Sequence, residues 1–269
     1  APTNTPLIDF TANNGGTSTG NFQGIVINGG TLFTTAGDIS LIGTGGDSGT
    51  SNEGVLIQNG ANLTSGGALT LVGNGGLSSD GISVTSGQIT TTGTAAMNLT
   101  GTGGTGVGAF SRGIFLSGNS TAIATSGDGP VFLTGVGAGD AAGSHGISVL
   151  NNAQISPIGT SSLRIDGTAS SAAGGSVGIL VNGAGPVVTV VDGPMSLIGE
   201  GGGTGNDNMG IQIGPNGDIT STGSGSITID ATGTSTGASN NTGLEVNNTS
   251  LIQATGSGDI AIVNATGST

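Results

Sequence analysis

Lysine is absent from this chain, and its basic side chains are Arg112, Arg164 and His145 alone. Eliminative cleavage of an acidic sugar would need a base to take a proton and a cation to neutralise the substrate carboxylate. Arg112 and His145 each stand one residue before a Gly-aliphatic-x-aliphatic tetrad, GIFL at Gly113 and GISV at Gly146. A fold that repeats would therefore bring them side by side, while Arg164 falls at another phase. The plain reading of the pair is two solvated side chains at loop ends. Glycoside hydrolysis would need two carboxylates converging on one face. Asp166 and Asp230 share a phase but lie two repeats apart, with Ile198 between them.

Other chemistry is as thinly supported. The segments GGDSGTSNE, with Asp47 and Glu53, and GEGGGTGNDN, with Glu200 and Asp207, loosely follow the G-G-x-G-x-D calcium pattern. Neither keeps the nine-residue register of that pattern, so a weak loop-bound Ca²⁺ is the only cofactor they suggest. Asp38, Asp128, Asp192 and Asp259 recur at one turn, where an Asp side chain accepts backbone N–H bonds. GTGGTG at Gly101–Gly106 lacks the Lys and the helix of a phosphate loop. Asn-x-Ser/Thr triplets at Asn62, Asn98, Asn240 and Asn264 are expected by chance in so Asn- and Thr-rich a chain. The Thr-rich runs TLFTT and ITTT do not persist as a ranked Thr-x-Thr array of the ice-binding kind, since later repeats read AIAT, QISP and VVTV. No catalytic, cofactor-binding or metal-ligating residue is assigned.

What positions all these residues is a repeat. The tetrad occurs at Gly24, Gly54, Gly81, Gly113, Gly146, Gly178, Gly210 and Gly243, at intervals of 30, 27, 32, 33, 32, 32 and 33 residues. A second element, centred on one aliphatic, follows at Leu32, Leu63, Ile89, Ile123, Ile155, Val188, Ile219 and Leu251 or Ile252. A third carries alternating pairs: Ile39/Leu41, Leu69/Leu71, Met97/Leu99, Val131/Leu133, Leu163/Ile165, Met195/Leu197, Ile227/Ile229 and Ile260/Ile262. Alternation over three to five positions marks short strands with one buried face. Glycine at this density would cost a helix roughly 1 kcal/mol per residue. The expectation is an all-β chain: a right-handed parallel β-helix of about eight coils, each of 27–33 residues with three short strands. It forms a single domain over residues 1–269, residues 1–23 being a partial coil whose Ile8 and Phe10 point inward. Glycines 43, 73, 101, 135, 167 and 199 are expected at corners, supplying positive φ.

On the outside of the first strand this frame places Val26, Leu56, Ser83, Phe115, Ser148, Leu180, Gln212 and Glu245. A single acid in that column gives no catalytic pair. The exposed aliphatics there would pack under a loop or mark a lateral contact.

Composition fits this architecture. The hydrophobic fraction is 33%, mostly regularly spaced Ile, Val and Leu, which a disordered chain lacks. Fifteen acids against two arginines leave a net charge of −13, which excludes nucleic acid and disfavours anionic lipid. There is no cysteine, hence no disulfide or thiolate metal site. No apolar stretch reaches the roughly 18 residues of a membrane span, and APTNTPLIDF lacks the features of a signal peptide.

The motif G-D-I-x-L at Gly37–Leu41, its variants at Gly67 and Gly258, and the runs of Thr, Gly and Asn resemble the shafts of large bacterial secreted adhesins. Filamentous-haemagglutinin-like exoproteins and autotransporter passengers are the nearest group. That resemblance implies a β-helix, an extracellular location at the cell surface, roles in adhesion, matrix or fibre formation, and no catalytic residues. A carbohydrate-binding or carbohydrate-cleaving β-helix is the alternative. Expected partners are more of the same stack, by head-to-tail self-association or continuation in a longer chain, with surface glycans as a further class. Neither terminal segment reads as a cap, and both fall at the phase of a third strand.

Overall fold

The computed structural model describes residues 7–13, 19–106, 110–171, 174–233 and 239–267. Within them the regular elements are all strands, arranged as a parallel β-solenoid of about eight turns. First strands of successive coils, from Ile25–Asn28 to Leu244–Val246, form one eight-stranded sheet, called here sheet 1. Second strands, from Thr31–Phe33 to Leu251–Ala254, form sheet 2, also of eight. Third strands form the nine-stranded sheet 3, from Ile8–Ala12 to Ile260–Thr266. Strand order in each follows the order of the coils. The outermost ends of the chain, residues 1–6 and 268–269, lie outside the described residues, as do 14–18 of the partial coil.

Register turns the aliphatic pattern into columns. Ile25, Val55, Ile82, Ile114, Ile147, Ile179, Ile211 and Leu244 face one another coil by coil. Ile27 through Val246 do the same two residues on. Both columns point into the core, where all but the terminal members are essentially inaccessible. Strand two contributes one column, and its last member is Ile252, paired with Ile219; Leu251 faces outward and is 42% exposed. Ile8 and Phe10 align with Ile39 and Leu41, extending the two columns of strand three. Among the described residues, the one register shift lies between Ile229 and Asp230, where the last strand carries an extra residue. At about 1.5–3 kcal/mol per buried aliphatic, these columns offset the ordering of a glycine-rich backbone.

The corner-glycine expectation is corrected. Gly43, Gly73, Gly101, Gly135, Gly167 and Gly199 sit inside third strands, and none of them has positive φ. They are needed for closeness. A Cβ on Gly135 would come within 2.3 Å of the Gly146 carbonyl oxygen. One on Gly146 would meet Thr168 N at 2.5 Å and Gly178 O at 2.6 Å. Third-strand glycines and tetrad glycines thus form two facing columns, and the chain closes each coil there by backbone-to-backbone contact. Positive φ falls elsewhere, at turn residues such as Asn59 and Gly60.

Polar columns finish the corners. Asn52, Ser79, Ser111, Ser144, Ser176, Asn208 and Asn241 are buried beside the seam. Several accept a backbone N–H from the preceding coil: Phe22 N donates to Asn52 Oδ1 (2.9 Å), Asn52 N to Ser79 Oγ (2.8 Å), and Asn208 N to Asn241 Oδ1 (3.0 Å). Such bonds satisfy loop amides that no sheet would otherwise serve. The turn aspartates act likewise, but across coils rather than within their own turn. Asp38, Asp128 and Asp192 accept from Ala68 N, Thr160 N and Ser224 N of the next coil.

Candidate functional site

Loops of six to eleven residues join each third strand to the next tetrad. Each ends on the residue before the tetrad glycine, and those residues stack. Gly54 N donates to Asp80 O, Gly81 N to Arg112 O, Gly113 N to His145 O, and Gly146 N to Val177 O. Glu53, Asp80, Arg112, His145 and Val177 therefore occupy neighbouring rungs, followed by Met209. This column lies against the outward face of sheet 1 and covers its middle positions. The Arg112 guanidinium sits 3.5 Å from the centroid of the Phe115 ring, and Val177 and Met209 pack on Leu180. Leu56 and Leu180 are consequently only 8% exposed and pack under loops, whereas Val26, in the first strand of the sheet, stays 41% exposed.

The structure brings Arg112 and His145 together in adjacent coils, and it corrects the picture of two solvated side chains. Arg112 retains 16% of its side-chain exposure and is gripped by Asp80. Its Nε donates to Asp80 Oδ1 at 3.0 Å, its Nη2 to Oδ2 at 2.9 Å, and its backbone N to Oδ1 at 2.9 Å. The exposed Phe110 ring lies 5.6 Å from the guanidinium on another side. Burial raises the Asp80 carboxyl above its ordinary value against the opposing pull of Arg112. Burial, helped by the Arg112 charge, pushes His145 down to about 4. The imidazole is thus neutral at pH 7; its Nδ1 accepts the Val177 N–H at 2.9 Å, which leaves the ring proton on Nε2. Glu53 Oε2 within this column and Ser148 Oγ beneath it are buried without a hydrogen-bond partner.

Chemically this is a held arrangement. A cation that already has a bidentate carboxylate and an aromatic face has little left for a substrate carboxylate. Asp80 was missing from the sequence reading, although its place immediately before Gly81 carried the signal. The remaining candidates are dispersed. Arg164 pairs with Asp166 at 2.9 Å on the outside of sheet 3, and Ile198 separates Asp166 from Asp230 in register. Asp47 accepts the Gly20 N–H at 2.9 Å. Glu200 borders an open cavity of about 250 Å³ lined by Thr168, Ala169, Ser171 and the glycine turn 201–204. Among the described residues no three His, Asp or Glu side chains converge as a metal site, and no helix is long and apolar enough to cross a membrane. No family model, curated protein or solved structure matches the chain.

Proposed function

We propose that this chain is a structural and adhesive β-solenoid, a segment or subunit of an extracellular fibre, adhesin or matrix, and that it does no catalysis. The observation that carries the reading is the unbroken stack, whose three sheets run in register from the first described strand to the last with a single shift. An architecture in which each coil only templates the next is suited to spanning distance. A surface rich in hydroxyls and amides and a cysteine-free composition are consistent with an exported shaft of the filamentous-haemagglutinin or autotransporter-passenger style. Apolar residues at the C-terminal face, Ile260 at 42% and Ile262 at 53% exposure, support a partner that continues the stack, either further coils or a second copy.

A second reading, a glycan-binding or glycan-cleaving module, is favoured by one feature: exposed Phe110 beside the Glu53–Asp80–Arg112 column. The two are separated by incubating the chain with acidic and neutral polysaccharides and measuring retention and turnover together. Retention on coated surfaces without turnover is the expected result. Turnover that Glu53→Gln abolishes would overturn the structural reading.

A further inference from the structure

We propose that His145 is the trigger of an acid-released clasp, which at neutral pH holds Val177 against the outer face of sheet 1. The clasp is the bond from Val177 N to His145 Nδ1, which ties one coil's loop to the next just where Val177 and Met209 cover Leu180. A proton added at Nδ1 turns the acceptor into a donor that faces the Val177 donor. It also sets an imidazolium beside a guanidinium whose position is fixed by Asp80 and Phe115. Both changes break the same contact.

The groups facing His145 make the direction unambiguous. From the preceding coil come Arg112 and, behind it, Asp80 and then Glu53. From the following coil come Val177 and Met209, neither of which titrates. Its own loop carries Asp140, and the Phe110 ring borders Gly143 two residues away. Folding holds the imidazole near 4, against 6.5 for a free one. The closed loop is therefore fully favoured above pH 6.5 and loses that advantage as pH falls from 6.5 towards 4. The opening equilibrium would shift by up to about 300-fold across this window. Asp80 works the other way. Its raised value means that burial of its charge is a cost at neutral pH, relieved on acidification, so it blunts the response instead of driving it. Release stays local because the aliphatic columns hold no titratable group, and it uncovers Leu180 and its neighbours on sheet 1.

The chain has one histidine, so a proton NMR titration reads His145 without ambiguity. Amide protection factors for Val177 and for Ile147 and Ile179 in the core would be followed from pH 7 to 3.5, for the native chain, His145→Gln and Asp80→Asn. The expected result is a midpoint near 4, with Val177 losing protection as the ring titrates while Ile147 and Ile179 keep theirs. Asp80→Asn retains this response. His145→Gln, whose amide oxygen can accept the bond without titrating, removes it. A midpoint near 6.5, unchanged Val177 protection, or simultaneous loss at Val177 and the core amides would each overturn the clasp. So would an equal acid response in His145→Gln. The native titration decides the matter even if a variant fails to fold.

Discussion

Two glycines show how differently one residue type is used here. Gly146 lies in the seam, where an added Cβ would meet backbone atoms of its own coil's third strand at 2.5 Å and of the next coil at 2.6 Å. Backbone cannot rotate away as a side chain can, so Gly146→Ala must part the coils locally. Gly60 has open space around it and φ of +80°. Gly60→Ala therefore meets only the cost of a left-handed conformation. Urea unfolding followed by circular dichroism should show Gly146→Ala destabilised by about 3 kcal/mol or more and Gly60→Ala by about 1 kcal/mol. Equal losses would mean that the seam is not tight. The sequence cannot separate these uses, since a bare Gly is compatible with positive φ and with close approach alike. That is why Gly43 and its equivalents were read as corners, when their neighbours Leu41 and Thr44 place them within a strand. His145 and Arg112 were legible as neighbours from their shared phase. Their burial was not, because it depends on how the preceding loop folds back.

At the scale of the strand, the aliphatic columns were readable almost residue for residue. Alternation with a period of two admits one inward set once the opposite face is polar. The exception is instructive: LIQ at the second strand of the last coil offered two aliphatics in a row, and pairing with Ile219 selects Ile252. Asp80 escaped for a related reason. Acids were sought at the tetrad's middle positions, while the charged column stands one residue before the tetrad. Column position also sets energetic weight. Ile147 is enclosed by Ile114 and Ile179 on the adjacent strands and is inaccessible, whereas Ile262 has a partner on one side only and is 53% exposed. Ile147→Ala should therefore cost about 2–5 kcal/mol, and Ile262→Ala less than about 1 kcal/mol. Denaturant midpoints for the two variants test this, and similar losses would contradict enclosure by neighbouring coils as the source of stability.

For the whole molecule, the coil is the unit that can be gained or lost. Deleting Gly178–Met209 joins Val177 to Gly210, restoring the same phase of seam, tetrad and loop. The shortened chain should keep its far-UV β spectrum per residue and a cooperative transition. Deleting Gly178–Gly193 joins Val177 to Pro194 and puts a third-strand sequence where a tetrad and first strand must begin, so it should abolish that transition. Survival of both deletions would show that coil register does not govern folding. The orientation of the hydrogen bonds carries a last consequence. In all three sheets they run along the stack rather than across it, so tension between the chain ends does not shear many bonds at once. It loads those of one terminal coil, then of the next. Stretched by a single-molecule probe, the rod should pay out in steps, each lengthening the tether by roughly 110 Å as some 32 residues extend. A solenoid of this kind would dissipate force turn by turn and rewind when slack, behaving as a mechanical damper.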